Sequence, residues 1–525
     1  MKMLPHQEAA FERLKALPHC GLMWTMGRGK TKTAIDIAVY KYNRNIVDRV
    51  LIVAPNYVHS QWVTEQLPLH CYVLYRAFVY KTTTAKSYKQ QLDDFLTSKE
   101  RKLVFLAMHY DAFSTDKGLA VAERFCVKDR TLFILDEASR IKSPKSKRTK
   151  ALTSLHRAVG GPSMILTGTA LAKRPSDIWA MCNFMDKSII PCTYTAFEQA
   201  HTVLQTSQYQ INGKHVTVRQ PITVKQWDFV KARFERLLQG RAPTVADFAS
   251  IAKLCKVSES DARHIYENAR FCRYKNIDKL KSALAGVLSF IDAKDDIQLP
   301  DKIYKTLTFP LEREQEDLLY QLKKYAVAQY KDTILSVKDK AAVLMKALQI
   351  CGGFVIPLDK SEPVMLECKN AKLEWLLQAL PEFGDSQILV FAVFVEEIRL
   401  LEKVLSKELT TAAVYGSTKK SDRETIVEDF KSGKIQCLVC NPVVAGYGLN
   451  LQNADYQVWY SRSYMTEARI QSEGRTHRIG TKRNPVYIDL VYDCACEKNV
   501  LASNKEGRDM NDFFTRNTVE EILSV

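Results

Sequence analysis

The sequence predicts an α/β protein: two parallel-sheet lobes with a mixed hairpin and helical insertion between them. Three observations predict it. Short, unbroken apolar runs alternate with helical patterns in the first third of the chain. The same rhythm returns in the last third. The stretch between them follows neither pattern. Strands buried on both faces read as continuous Val, Ile, Leu and Phe, and such a sheet needs helices on both sides.

In the first lobe, residues 1–185, Met1–Ala16 reads as an amphipathic helix. The apolar runs are Cys20–Trp24, Arg49–Pro55, Lys102–Met108, Thr131–Glu137 and Ser163–Thr169. The insertion, residues 186–298, opens with an alternating stretch, Gln208–Val218. Asn212-Gly213 at its centre signals a type I′ hairpin. From Thr244 the pattern turns helical. It fits either a helix-turn-helix with Val257-Ser258-Glu259-Ser260 at the turn or an ordinary helical hairpin. The second lobe, residues 299–525, begins with a charged helical brace over Leu311–Cys351. Its apolar runs are Ile388–Ala392, Ala412–Gly416, Gln436–Asn441, Tyr456–Ser461 and Pro485–Tyr492.

The bulk numbers bound the class. A chain of 525 residues is too long for one core, and two to four domains are expected. An apolar fraction of 46% with 26% charged residues excludes a disordered chain. No apolar run is long enough to span a bilayer, and the start lacks the basic-then-apolar secretory pattern. The formal charge of +17 favours a polyanionic partner without choosing DNA, RNA or an acidic protein. The thirteen cysteines lie scattered through apolar segments. Cys437 and Cys440 make a CxxC and Cys494 and Cys496 a CxC, neither with a second pair at zinc-finger spacing. The first two sit on a strand-like run and read as buried thiols, which implies a reducing, cytoplasmic compartment.

Chemistry concentrates in a few places. Thr25–Thr31 (TMGRGKT) follows an apolar run and opens a helix. Met26, Gly27, Arg28 and Gly29 would turn backbone N–H groups toward phosphate oxygens, aided by the helix N-terminus. Lys30 would reach the β- and γ-phosphates of ATP, and Thr31 would ligate Mg²⁺. About a hundred residues on, a strand ends in Asp136 and Glu137. Asp136 would hold Mg²⁺, and Glu137 would polarise the attacking water. Upstream, Gln7 offers a donor and an acceptor to an adenine edge. In the second lobe Arg475 and Arg478, three apart after Gln471, have the chemistry of arginine fingers.

The order of these motifs resembles the Swi/Snf-like branch of superfamily-2 helicases, whose lobes are RecA-like. Leu4–Gln7 resembles its adenine-sensing motif, Met26–Thr31 motif I, and Leu51–Glu65, with its trailing Trp62 and Glu65, motif Ia. Asp136–Lys147 resembles a DEAH-type motif II with the basic stretch that follows. Leu166–Trp179 resembles motif III, and Leu299–Lys302 the opening of the second lobe. Tyr415–Phe430 resembles the segment after motif IV, Val443–Asp455 motif V, and Gln471–Arg483 motif VI. The match runs along nearly the whole chain apart from about 193–293. Ser139 stands where the family has His, Trp24 and Thr25 replace an acidic pair, and Thr481 replaces a Gln. None of these removes Lys30, Asp136, Glu137, Arg475 or Arg478.

The resemblance implies an active ATP- and Mg²⁺-dependent DNA translocase or helicase, working as a monomer on duplex or branched DNA. Gly448 would join the nucleotide contacts. Pro55, Asn56, Thr167, Gly168, Thr169, Asn441 and Lys142 would contact nucleic acid, chiefly its backbone. The basic run Lys142–Lys150 reads equally as a solvated helix face. Fork remodelling or branch migration in replication, recombination or repair, in a bacterial or phage-infected cell, follows by analogy alone. An RNA helicase and a nucleic-acid-binding scaffold with a decayed ATPase are the competing readings.

Overall fold

The computed structural model describes residues 3–505, except 26, 57, 84, 98–101, 169–174, 212–213, 270–271, 292–299, 326, 331–332, 337–339, 358–361, 447–450 and 478–482. The chain divides into two compact units, Met1–Asp296 and Ile297–Val525.

The first unit contains strands β1 (His19–Trp24), β2 (Arg49–Ala54), β3 (Tyr75–Val79), β4 (Leu103–His109), β5 (Thr131–Asp136) and β6 (Ser163–Thr167). An antiparallel hairpin follows, β7 (Leu204–Ile211) with β8 (Lys214–Pro221), and then β9 (Leu288–Ile291). All but the hairpin form one parallel sheet in the order β3-β4-β2-β5-β6-β1-β9. Its centre is buried on both faces. In β2, Leu51 and Val53 enter one core cluster while Val50 and Ile52 enter the other. Each such side chain stabilises by about 1.5–3 kcal/mol when fully buried. This two-sided burial is why the run reads as unbroken rather than alternating.

β9 lies in a segment the sequence reading gave to the insertion. It adds a seventh strand beside β1, with Gly21 opposite Leu288. A Cβ on Gly21 would lie 2.6 Å from Leu288 Cδ2 and 2.7 Å from Ile165 Cγ1, so only glycine lets its neighbours close. The Trp24 indole donates to Ser289 Oγ at 3.0 Å across the same seam. The acidic pair's replacement by Trp24 thus has a structural account: its side chain is core. Leu280, Leu284 and Leu288 pack into the lobe's own core. Phe197 joins that core too, while the part of the insertion between Val203 and Ile265 has a separate core, built on Trp227, Phe234, Phe248 and Ile265. The helices Val245–Cys255 and Glu259–Glu267 are joined by a turn shorter than expected, because Ser258 already caps the second helix. The Asn212-Gly213 turn lies outside the described residues.

The second unit contains β10 (Ile303–Phe309), a hairpin β11 (Val327–Tyr330) with β12 (Thr333–Ser336), a short pair β13 (Phe354–Val355) and β14 (Val364–Met365), then β15 (Gln387–Phe391), β16 (Thr411–Val414), β17 (Cys437–Cys440), β18 (Ala454–Trp459) and β19 (Val486–Tyr492). Its six-stranded sheet, again parallel, runs β10-β19-β18-β15-β17-β16. The expected helix over Leu311–Cys351 is corrected. It is two helices, Arg313–Tyr325 and Lys340–Cys351, with the β11–β12 hairpin between them. The residues between them, Val327, Tyr330, Thr333 and Ile334, are β-branched or aromatic and favour strands. Cys437 and Cys440 are buried in different core clusters, as alternation along a strand requires. Among the described residues, no helix is long and apolar enough to cross a membrane.

Candidate active site

In an open parallel sheet the carboxyl ends of the strands form the ligand-binding edge. The first unit puts its motif residues there. β1 runs into the glycine loop, β2 into Pro55 and Asn56, β5 into Asp136 and Glu137, and β6 into Thr167 and Gly168. Residues scattered over more than a hundred positions of sequence thus come to one edge because every strand points the same way.

Gly27 and Gly29 have φ of 75° and 76°, a backbone region closed to most side chains. Gly29 caps the helix Lys30–Asn43, so the loop delivers its N–H groups to a helix N-terminus. Met26 lies outside the described residues. Lys30 Nζ donates to the carbonyls of Trp24 at 2.9 Å and Thr25 at 3.3 Å, which holds the ammonium at the mouth of the loop. Thr31 sits half-buried in the first helical turn. Arg28 is buried, its Nε donating to Thr25 Oγ1 at 3.3 Å.

Gln7 is buried and both ends of its amide bond within the chain. Oε1 accepts from Leu4 N at 2.8 Å, and Nε2 donates to Gly29 O at 3.1 Å. His6 Nε2 meets Arg28 O at 2.9 Å. The helix Pro5–Leu14 is therefore tied directly to the glycine loop.

Asp136 closes β5. Its Oδ2 accepts from Trp62 Nε1 at 2.8 Å and its Oδ1 from Glu137 N at 3.1 Å. Tyr110 Oη donates to the Asp136 carbonyl at 2.9 Å. Burial, then the Asp136 and Glu137 carboxylates, push the Tyr110 phenol well above its ordinary value, so it remains a donor. Glu137 adopts a left-handed φ of 53°, strain of about 1–3 kcal/mol of the kind that gathers at functional sites. Trp62 begins a π-helical turn, Trp62–Gln66, which aims its indole inward. Sequence reasoning named Trp62 and His6 only within motifs and missed Tyr110; a lone aromatic carries no spacing signal.

This donor set fits a magnesium nucleoside triphosphate: backbone N–H groups and an ammonium for phosphates, and a carboxylate with a hydroxyl for a hard cation.

In the second unit the helix Thr466–Thr476 carries Gln471 and a half-buried Arg475. A buried ionic network seats it. Arg469 donates to Glu473 at 2.7 Å and to Asp489 at 2.6 Å, and its guanidinium lies 4.2 Å from the Trp459 ring centroid. Burial pushes Glu473 and Asp489 up. Arg469, with Lys302 near the first and Arg462 near the second, holds both below the ordinary carboxylate range. The helix ends at Thr476, and Arg478 and Gly448 lie outside the described residues.

The nucleic-acid candidates divide. Asn56 and Lys142 are exposed, and Lys145, Lys147 and Lys150 are exposed beside Lys142. Pro55 and Thr167 are buried, Gly168 is half-buried and Thr169 is outside the described residues. Asn441 is used by its own loop: Nδ2 donates to Val393 O at 2.8 Å and Oδ1 accepts from Val443 N at 3.0 Å.

Two parallel-sheet units with this order of motifs define a superfamily-2 helicase-type core. The SNF2-related domain model matches residues 12–351 and the helicase conserved C-terminal domain model residues 371–480. The chain belongs to the Swi/Snf-like family of that superfamily. It is 22% identical to the chromatin structure-remodeling complex subunit snf21 of Schizosaccharomyces pombe, over 73% of this chain and 30% of that protein. It is 21% identical to Protein CHROMATIN REMODELING 24 of Arabidopsis thaliana, over 100% of this chain and 48% of that one. It is 23% identical to the YwqA protein of Bacillus subtilis, over 93% and 45%. The chain thus spans less than half the length of these relatives.

Proposed function

We propose that the protein is an ATP-dependent DNA translocase that acts on duplex or branched DNA, and that fork remodelling or branch migration is its work. The observation that carries the reading is the pairing of the Gly27–Lys30 loop with Asp136 and Glu137 on the carboxyl edge of one sheet. Family membership and relatives named for chromatin remodelling favour DNA over RNA.

Magnesium, when bound with the nucleotide, supplies charge neutralisation along the phosphates. The chain's own residues do the rest. The Gly27 and Gly29 backbone cradles the phosphates. Lys30 exchanges its two carbonyl partners for phosphate oxygens, a stronger, charge-assisted contact. Thr31 and Asp136 hold the cation, with Trp62 fixing the Asp136 carboxylate. Glu137 orients the attacking water. Arg475 and Arg478 are the proposed arginine fingers. Gln7, bonded to the Gly29 carbonyl, relays loop movement to the first helix. The exposed lysines at 142, 145, 147 and 150 are candidate phosphate contacts.

The test is ATP hydrolysis without nucleic acid, then with single-stranded DNA, blunt duplex, a fork, a four-way junction and RNA, at one stated salt concentration. Forks and junctions are expected to stimulate most. Equal stimulation by blunt duplex leaves a duplex translocase and removes the branched-DNA role. Stimulation by RNA alone, or no hydrolysis under any condition, overturns the reading. DNA affinity should also fall steeply with salt as backbone contacts release counterions.

A further inference from the structure

Cys351, Cys494 and Cys496 bring their sulfurs together in the second unit. The separations are 3.7 Å for Cys351–Cys494, 3.6 Å for Cys351–Cys496 and 3.3 Å for Cys494–Cys496. None is more than 2% exposed. Among the described residues no other group of His, Cys, Asp and Glu side chains converges in this way. The three come from the end of the helix Lys340–Cys351, the turn after β19 and the first turn of the helix Ala495–Lys505. Cys351 is 143 and 145 residues from its partners, so tertiary packing and not local sequence makes the cluster.

The spacing has a chemical meaning. Disulfide sulfurs stand about 2.05 Å apart, so these are not bonded pairs. Three thiolates around one zinc ion, with Zn–S near 2.3 Å, stand about 3.8 Å apart in ideal tetrahedral geometry. An ion at that bond length from all three observed sulfurs would lie about 1 Å out of their plane, with the fourth tetrahedral position on the same side. Cys437 and Cys440, the sequence's CxxC, fall in separate clusters on β17 and cannot do this.

We propose that Cys351, Cys494 and Cys496 form a structural site for a thiophilic d¹⁰ cation of the Zn²⁺ class. Binding forms three sulfur–metal bonds and releases the thiol protons to solvent. The Cys494 sulfur lies within reach of both other sulfurs, and beside the cluster Lys372 is paired with Glu497 and sits 4.6 Å from the Tyr492 ring centroid. The ion staples the helix Lys340–Cys351, at the start of the unit, to its last strand and last described helix. Cys351 is the last residue of the SNF2-related match, and Cys494 and Cys496 lie beyond residue 480, where the helicase C-terminal match stops.

The experiment uses the full chain purified under reducing conditions. Its zinc content is measured by atomic emission, and chelator-treated protein is titrated with Co²⁺. The expected result is one equivalent of metal, a thiolate-to-cobalt charge-transfer band that Zn²⁺ displaces, and a melting temperature that chelator lowers. Cys351→Ser and Cys496→Ser should each remove the band, while Cys192→Ser, at an exposed cysteine, should keep it. Wild-type protein with no band, no stoichiometric metal and no response to chelator would leave three buried thiols acting as small apolar side chains, and the proposal fails. Because the wild-type measurements need no variant, misfolding of a Ser variant does not obscure the outcome.

Discussion

Trp62 donates its indole N–H to Asp136 Oδ2 at 2.8 Å, and both side chains are buried. The bond joins the helical turn after β2 to the end of β5, so the carboxylate proposed to hold Mg²⁺ is oriented by a residue outside its own motif. Partners of this kind set the direction in which a ligand's lone pairs point, and their loss costs about 10–100-fold in metal affinity or activity.

Trp62→Phe keeps most of the buried area and removes only the donor. The Mg²⁺ concentration for half-maximal ATP hydrolysis should rise by about tenfold or more. Circular dichroism should be unchanged. An unaltered Mg²⁺ dependence would mean that other contacts fix the carboxylate, and the role given to Trp62 would be wrong.

Lys30→Ala should abolish ATP hydrolysis and leave a folded protein, because Lys30 is half-buried at the mouth of its loop and bonded to the Trp24 and Thr25 carbonyls. Steady-state phosphate release and a melting curve check both halves. Normal turnover would remove the phosphate-loop assignment.

Arg475→Ala and Arg478→Ala should each lower kcat by about 10³-fold if the two act as arginine fingers. Nucleotide affinity, followed by a fluorescent analogue, should change far less. A loss smaller than tenfold in either would take that residue out of the arginine-finger role.

Glu397 gives a pH prediction. Burial raises its carboxyl to about 7, although Ser461 and the Phe394 N–H donate to it. Its ordinary value is 4.5, so the folded state holds a proton that the unfolded chain releases at lower pH. The stability from this group is complete below pH 4.5 and is lost as pH rises through 7. The full effect is about 3 kcal/mol at 1.36 kcal/mol for each pKa unit. Glu397→Gln should therefore gain stability relative to wild type across that window. Parallel denaturation curves at pH 4.5 and 8 measure it, and a pH-independent difference would refute the raised carboxyl.

The sequence by itself determined the strands at the centre of each sheet. β2, β5, β6 and β15 carry unbroken apolar runs because both faces are covered, and that pattern survives in one dimension. It also nominated Lys30, Thr31, Asp136, Glu137 and Arg475, since each sits in a motif whose spacing is set by one strand end or one helical turn. The edge strands β3 and β10 escaped it. β3 is half-buried along its length and β10 mostly exposed, so neither reads as a buried run. Tertiary structure alone decided what long-range packing decides: that β9 returns to the first sheet across Gly21, that Trp62 and Tyr110 serve Asp136, and that Cys351 meets a CxC more than 140 residues away. Contacts between distant segments leave no period in the chain, because the geometry that makes them belongs to the sheets and not to the residues between.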